Sequence, residues 1–270
     1  MPRYRLDIAY DGTPFSGWQR QDHAPSVQQA IEEAIEGFAG ATQNETIRLH
    51  AAGRTDAGVH AEGQVAHVDL TRDWDPGVVQ RATNANLLRG AAPVAITLCT
   101  LANDEFHARF SATARHYRYR LLDRAWPPTT DRHLVWWVPS RQLLNVTAMA
   151  EATEALLGRH DFTTFRAAHC QADSPVRTLD RLDVKRVDDE IVIYASARSF
   201  LHHQVRSMVG ALKRVGEGRW HAEDVADALA ARDRARCPGM APSGGLCLIG
   251  VDYPPDTHDP SNRTTVETAA

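Results

Sequence analysis

Arg54, Thr55 and Asp56 stand between Gly53 and Gly58 in a run that reads Gly53-Arg54-Thr55-Asp56-Ala57-Gly58-Val59-His60. Glycines let a chain turn sharply and approach a ligand closely, and a carboxylate on such a loop can sit at the mouth of a cleft. An ionised carboxylate attacks carbon or removes a proton. Desolvation in a partly dry cleft favours the neutral acid, so the charged form requires an opposed cation. Arg54, two residues away, is the nearest candidate in sequence. A competing local reading gives Asp56 no chemistry: in an Asx-turn its side chain would accept from the amides that follow it.

Other chemistries find less support. His60, His67 and Asp69 form the nearest metal-like group, but they lack diagnostic spacing and no His-Glu-x-x-His pattern occurs, so no metal site is expected. Cys99, Cys170, Cys237 and Cys247 contain no Cys-x-x-Cys pair and read as reduced, packed thiols. There is no phosphate-binding Gly-x-x-x-x-Gly-Lys loop and no dinucleotide fingerprint. The chain has 30 basic and 34 acidic residues, a net charge of −4. Its arginines nevertheless cluster. The stretch 105–124 carries Arg109, Arg115, Arg118, Arg120 and Arg124, and 198–219 carries Arg198, Arg206, Lys213, Arg214 and Arg219. These stretches are expected to converge on one groove leading to Asp56 and suited to a polyanion. The alternative is that they are simply solvated.

The elements that must hold such a loop follow from periodicity. Tyr4, Leu6, Ile8 and Tyr10 alternate as a strand, and Ser26 begins a helix with a capping-box pattern that runs to Gly40. Strands at 47–52 and 64–70 flank the glycine loop, followed by a helix near 78–87 and a strand at 94–101. The second half repeats the order. A strand spans 116–122, a helix follows Asn145, a hairpin turns at Asp188-Asp189-Glu190, helices span 203–215 and 222–231, and a strand spans 246–251. The predicted fold is α+β: two related βαββαβ halves whose mainly antiparallel sheets join into one central sheet flanked by helices, with the active-site cleft between them. The expected divisions are 1–105, 106–253 and a disordered tail at 254–270. No apolar run approaches the length of a membrane span. The N-terminus enters a strand pattern at once, which argues against a signal peptide and makes the cytoplasm the expected location.

With the glycine loop placed between strands, the chain resembles the TruA family of tRNA pseudouridine synthases. Residues 53–60 look like that family's signature loop. Tyr10-Asp11-Gly12 and Phe15-Ser16-Gly17-Trp18-Gln19-Arg20-Gln21 resemble its opening, and Phe106 to Arg115 followed by Tyr117-Arg118-Tyr119 resembles its central segment. Asp161 to Arg166, Phe200-Leu201-His202-His203-Gln204-Val205-Arg206 and Gly245 to Leu248 follow in order, so the likeness runs from about Tyr4 to Tyr253.

The resemblance implies that Asp56 is the catalytic carboxylate, that Tyr117 contacts the target base, and that Arg206 pairs with Asp56. Residue by residue, the plainer readings are a core aromatic for Tyr117 and an exposed helix charge for Arg206, with Arg54 the rival partner. It also implies a uridine flipped from the anticodon stem-loop of tRNA, at tRNA positions 38, 39 and 40, no cofactor, and a homodimer. A non-catalytic RNA-binding protein, a metal-dependent phosphodiesterase using His60, His67 and Asp69, and a pseudouridine synthase acting on another RNA are the rival readings. Two departures stand out: Leu88-Arg89-Gly90-Ala91-Ala92 intervenes before Pro93, and Cys247 sits where an aromatic is common.

Overall fold

A computed structural model describes residues 1–40, 47–140 and 142–255. The alternating residues Tyr4, Leu6, Ile8 and Tyr10 lie on the buried face of strand β1 (Arg3–Tyr10). Helix α1 (Val27–Ala39) starts where Ser26 accepts a hydrogen bond from the Gln29 amide, and it ends at Gly40, φ 79°. Only half of the expected capping box forms, because the Gln29 side chain turns instead to Glu33. Strand β2 is confined to His50–Ala51, shorter than its apolar pattern suggested, and β3 spans His60–Asp69. Helix α2 (Pro76–Arg89) begins before the apolar pattern does, because Asp75 caps it and Pro76 fits its first turn. The divergent stretch before Pro93 closes that helix: Gly90 donates to Asn86, Ala92 to Leu87, and Ala91 takes the left-handed conformation at φ 52°. Strand β4 is Val94–Ala102.

The second half holds β5 (Ala114–Leu122), β6 (Trp136–Trp137), α3 (Val146–Thr153, capped by Asn145) and β7 (Gly158–Asp161). It continues with β8 (Val176–Val187), β9 (Glu190–Ala197), α4 (Gln204–Gly216), α5 (Ala222–Ala231) and β10 (Leu246–Asp252). The short strands β6 and β7 carry no periodic signal long enough to read from sequence. The tail expected to be disordered lies, from residue 256 on, outside the described residues. No helix among the described residues is long and apolar enough to cross a membrane.

The strands form one sheet in the order β4-β1-β3-β10-β5-β9-β8-β7, and the pairs along it are antiparallel except one. That exception joins the halves. The last strand, β10, lies parallel to β3, with Cys247 opposite His60 and Leu248 opposite Ala61. The observed class is therefore α+β with a large, mainly antiparallel central sheet. Two large buried apolar clusters lie on it, one around Tyr4, Leu6, Ile8, Ile31 and Ile35 and the other around Leu121, Met149, Phe162, Phe165, Met208 and Leu212, with a small third at Ala52, Val65 and Ala108. Strand β10 serves both, placing Leu246 in the second cluster and Leu248 in the first.

Helix α4 is seated closely against the segment 239–241. A Cβ on Gly210 would meet the Gly239 carbonyl oxygen at 2.2 Å, and the Ala241 amide donates to the Arg206 carbonyl at 3.0 Å. Gly210→Ala improves helix propensity by about 1 kcal/mol, yet the backbone contact cannot yield as a side-chain tip would. It should destabilise the protein by about 1–3 kcal/mol net and lower Tm by several degrees in thermal denaturation.

Candidate active site

The loop between β2 and β3 is shaped by hydrogen bonds from the segment that follows β1. The Val59 amide closes a turn on the Asp56 carbonyl at 3.1 Å, with Gly58 at φ 73°. Trp18 donates its amide to the Thr55 carbonyl, Gly58 donates to the Phe15 carbonyl, and the Tyr10 and Thr55 hydroxyls meet at 2.8 Å. The two backbones approach so closely that a Cβ on Gly12 would lie 2.0 Å from the Val59 carbonyl oxygen. At Gly17, φ 103°, it would lie 2.7 Å from the Thr55 oxygen. Asp56 is therefore carried on a loop braced from behind, with its side chain directed away from the brace.

The carboxylate meets the other half of the chain. Arg206 Nη1 donates to Asp56 Oδ2 at 2.7 Å, and Arg206 Nε donates to the Ala241 carbonyl at 2.9 Å. The pair is largely enclosed, with side-chain exposures of 10% for Arg206 and 18% for Asp56. Arg206 belongs to the first turn of α4, so the carboxylate lies near a helix N-terminus, whose partial positive charge favours an anion. Among the described residues no backbone amide donates to the Asp56 side chain, so the Asx-turn reading does not hold. Arg54 is exposed and has no ion pair or hydrogen bond there, so the partner is Arg206, distant in sequence.

Two neighbours were not singled out from sequence. His202 Nε2 lies 3.3 Å from Asp56 Oδ1 and His203 Nε2 lies 3.6 Å from Oδ2, with the two rings 3.9 Å apart. His203 caps α4 in a left-handed conformation, φ 66°, which aims its ring at the carboxylate. Burial lowers the His203 pKa from its ordinary value, opposed by the Asp56 charge. Their position just before Arg206 was the only available signal. Tyr117, on β5, packs against both apolar clusters and meets Phe200 edge to face at 5.2 Å. Burial raises its hydroxyl pKa and the Asp56 charge raises it further, so the phenol stays neutral beside the carboxylate.

The metal-like trio is dispersed. His60 accepts from the Gly12 amide through Nδ1 and faces the His133 carbonyl through Nε2; His67 accepts from the Ala108 amide; Asp69 pairs with Arg3. Asp56, His202 and His203 instead place one ligand atom each within 4.8 Å of one another, the geometry a metal ion would need. Cys247 lies on β10 opposite Arg118, and burial pushes its thiol up to about 12.

Many of the cations in the two basic stretches already have an acidic partner, three of them sharing Glu217. Arg118 pairs with Glu62, Arg120 with Asp131 and Glu190, Arg124 with Asp189, and Lys213, Arg214 and Arg219 with Glu217. Charge available to a polyanion in these stretches is therefore less than the count of arginines suggests. Ion pairing within the fold occupies part of it, which charge counting along a sequence cannot show.

Residues 8–111 and 152–254 match the family model described as tRNA pseudouridine synthase, more than half of the chain. The chain belongs to that family. It is 61% identical over 254 residues to the tRNA pseudouridine synthase A of Mesorhizobium japonicum, covering 94% of this chain and all of that protein. The proteins of the same name from Azorhizobium caulinodans and Paramagnetospirillum magneticum are 58% and 56% identical, each over 94% of this chain and 95% and 96% of theirs. This synthase is accordingly an isomerase that acts on tRNA.

Because the brace sets the position of Asp56, a change behind the loop should reach the chemistry. Gly17→Ala strains a positive φ and drives a methyl group toward the Thr55 carbonyl. It should lower the single-turnover rate about 10- to 100-fold while tRNA affinity changes little. Rapid-quench assays beside filter binding would separate the two effects.

Proposed function

We propose that this synthase isomerises uridine in the anticodon stem-loop of tRNAs, at tRNA positions 38, 39 and 40, with Asp56 as the catalytic carboxylate. The observation that carries this reading is the enclosed Asp56–Arg206 pair at 2.7 Å, set beside Tyr117. RNA binding alone has no use for a carboxylate facing a polyanion, which disfavours the non-catalytic alternative. The family resemblance supports the choice of stem-loop, and with it a homodimer in the cytoplasm whose two subunits share one RNA. The halves 1–105 and 106–253 are the units that form the cleft.

In the reaction the bond from C1′ to N1 of uracil breaks, the base turns, and a bond from C1′ to C5 forms. The C5 proton is lost and N1 ends protonated, so atoms and electrons balance with no redox or phosphoryl donor. Asp56 acts by attacking the sugar carbon or by removing, and later returning, a proton elsewhere on the ribose, and both routes require the ionised form. Arg206 is a positioning residue, since it holds that charge in a partly dry site. The uridine must leave its stack to reach Asp56. Tyr117 and Phe200 offer an aromatic wall for it, and the Tyr117 hydroxyl has no hydrogen bond within the described residues. Its neutral O–H can therefore bond to the base or relay a proton late in the reaction.

Asp56→Asn should abolish pseudouridine formation while leaving tRNA affinity within a few-fold, and turnover near the wild-type rate would refute the assignment. Arg206→Ala should lower the single-turnover rate about 10- to 100-fold and affinity much less, because it strands the carboxylate without its counter-charge. If it alters only affinity and its salt dependence, Arg206 is a phosphate contact. With His60, His67 and Asp69 dispersed, the Asp56, His202 and His203 group is where a metalloenzyme reading would now rest, and chelation tests it. Activity should survive EDTA in monovalent salt, with spermine restoring any loss caused by RNA unfolding. A requirement for protein-bound zinc would revive that alternative.

A further inference from the structure

Arg115 lies on β5, two residues before Tyr117, and is buried with no carboxylate partner among the described residues. Its guanidinium donates to four backbone carbonyls instead: Ala52 at 2.7 Å, Arg109 at 2.7 Å, Arg198 at 2.5 Å and Ala112 at 3.4 Å. One side chain thus ties together the approach to the Asp56 loop, the connection between β4 and β5, and the end of β9. Two of those segments carry exposed arginines, Arg109 and Arg198, which have no ion pair among the described residues. Burial pushes the Arg115 guanidinium below its ordinary value, and the nearby charges of Arg109 and Arg198 push it the same way. Carbonyl dipoles solvate Arg115, but they do not cancel the positive charge of three neighbouring cations. In a chain whose other clustered arginines are mostly paired, this is an unneutralised patch beside Tyr117.

Phe110 stands on the same patch, with 71% of its surface exposed. A single exposed apolar side chain is ordinary. This one is held in place. The Ala108 amide donates to His67 and the Tyr253 hydroxyl to the Ala108 carbonyl, while the Arg109 and Phe110 amides donate to His107 Nδ1. The His107 ring lies 4.4 Å from the Phe110 ring, and the Arg109 guanidinium lies 5.6 Å from it. A pinned aromatic face beside cations matches the surface on which single-stranded nucleic acid stacks.

We propose that Arg109, Arg198 and Phe110 form a docking rim for the substrate RNA beside the Asp56 cleft. The two guanidiniums take backbone phosphates and Phe110 stacks on an unpaired base. Arg115 is the buried post that fixes the three segments relative to Asp56. The proposal rests on the reading of the cleft as the RNA site.

The test uses the full-length protein and an unmodified tRNA transcript, with Kd measured at several salt concentrations. Arg159→Glu, on the outermost strand β7, serves as the charge control. Arg109→Glu and Arg198→Glu should each weaken binding about tenfold or more at low salt and reduce the slope of log Kd against log salt by about one. Phe110→Ala should weaken binding about tenfold with the slope unchanged. All three side chains are exposed, so thermal melts should match the wild type. If the wild type binds the transcript but Arg109→Glu and Arg198→Glu behave like Arg159→Glu, the rim is wrong and the reading of the cleft stands. If the wild type does not bind the transcript, that reading falls and the rim falls with it. Phe110→Ala at wild-type affinity would remove the stacking contact.

Discussion

The candidate site depends on one ion pair between residues 150 positions apart, Asp56 and Arg206. An enclosed carboxylate is stable as an anion only if something replaces the water it has lost. Here the replacement is a guanidinium whose second arm is already committed to the Ala241 carbonyl, so its fork is fixed before substrate arrives. The N-terminus of α4 adds a favourable field. Residues flanking Arg206 on α4 anchor the helix: Val205, Met208, Val209 and Leu212 are buried in the second apolar cluster. The counter-charge is therefore as rigid as the core beneath it.

The opposite half performs a different task. The segment from Tyr10 to Trp18 holds the Asp56 loop by backbone hydrogen bonds and by the Tyr10–Thr55 hydroxyl contact, with glycines where a side chain would collide. One half thus sets where the carboxylate sits and the other supplies the cation it faces. The two can be in register only because β10, the last strand, returns to pair with β3. Tyr117, on the neighbouring strand, packs against both clusters, so a base stacked on it would lie at the seam.

A net charge of −4 sits comfortably with an RNA substrate once the ion pairs are seen. Exposed pairs such as Arg118–Glu62 and Arg124–Asp189 add little stability. They do engage part of the surface charge, while Arg109 and Arg198 have no ion pair among the described residues. The field an RNA meets is set by which arginines lack partners, and their number along the chain does not reveal that.

Local physics was legible in the sequence. The alternation of β1, the Ser26 and Asn145 caps, the hairpin at Asp188 and the glycine-bounded Asp56 loop all arise from neighbours within a few residues, and all appear in the fold. The candidate carboxylate, the family and the mainly antiparallel α+β class followed from these and from the ordered motifs. Other features required the tertiary structure. These are the geometry of the Arg206 pair, which the resemblance named but which local reading left open to Arg54, the two histidines beside Asp56, the dispersal of His60, His67 and Asp69, and the pairing of many clustered arginines within the fold. The physical reason is common to all of them. Periodicity and caps are decided by short-range sterics and hydrogen bonds, whereas a charge is paired by whatever the chain brings within a few ångströms. Here the parallel β3–β10 junction determines that, by bringing together segments with no local signal of each other.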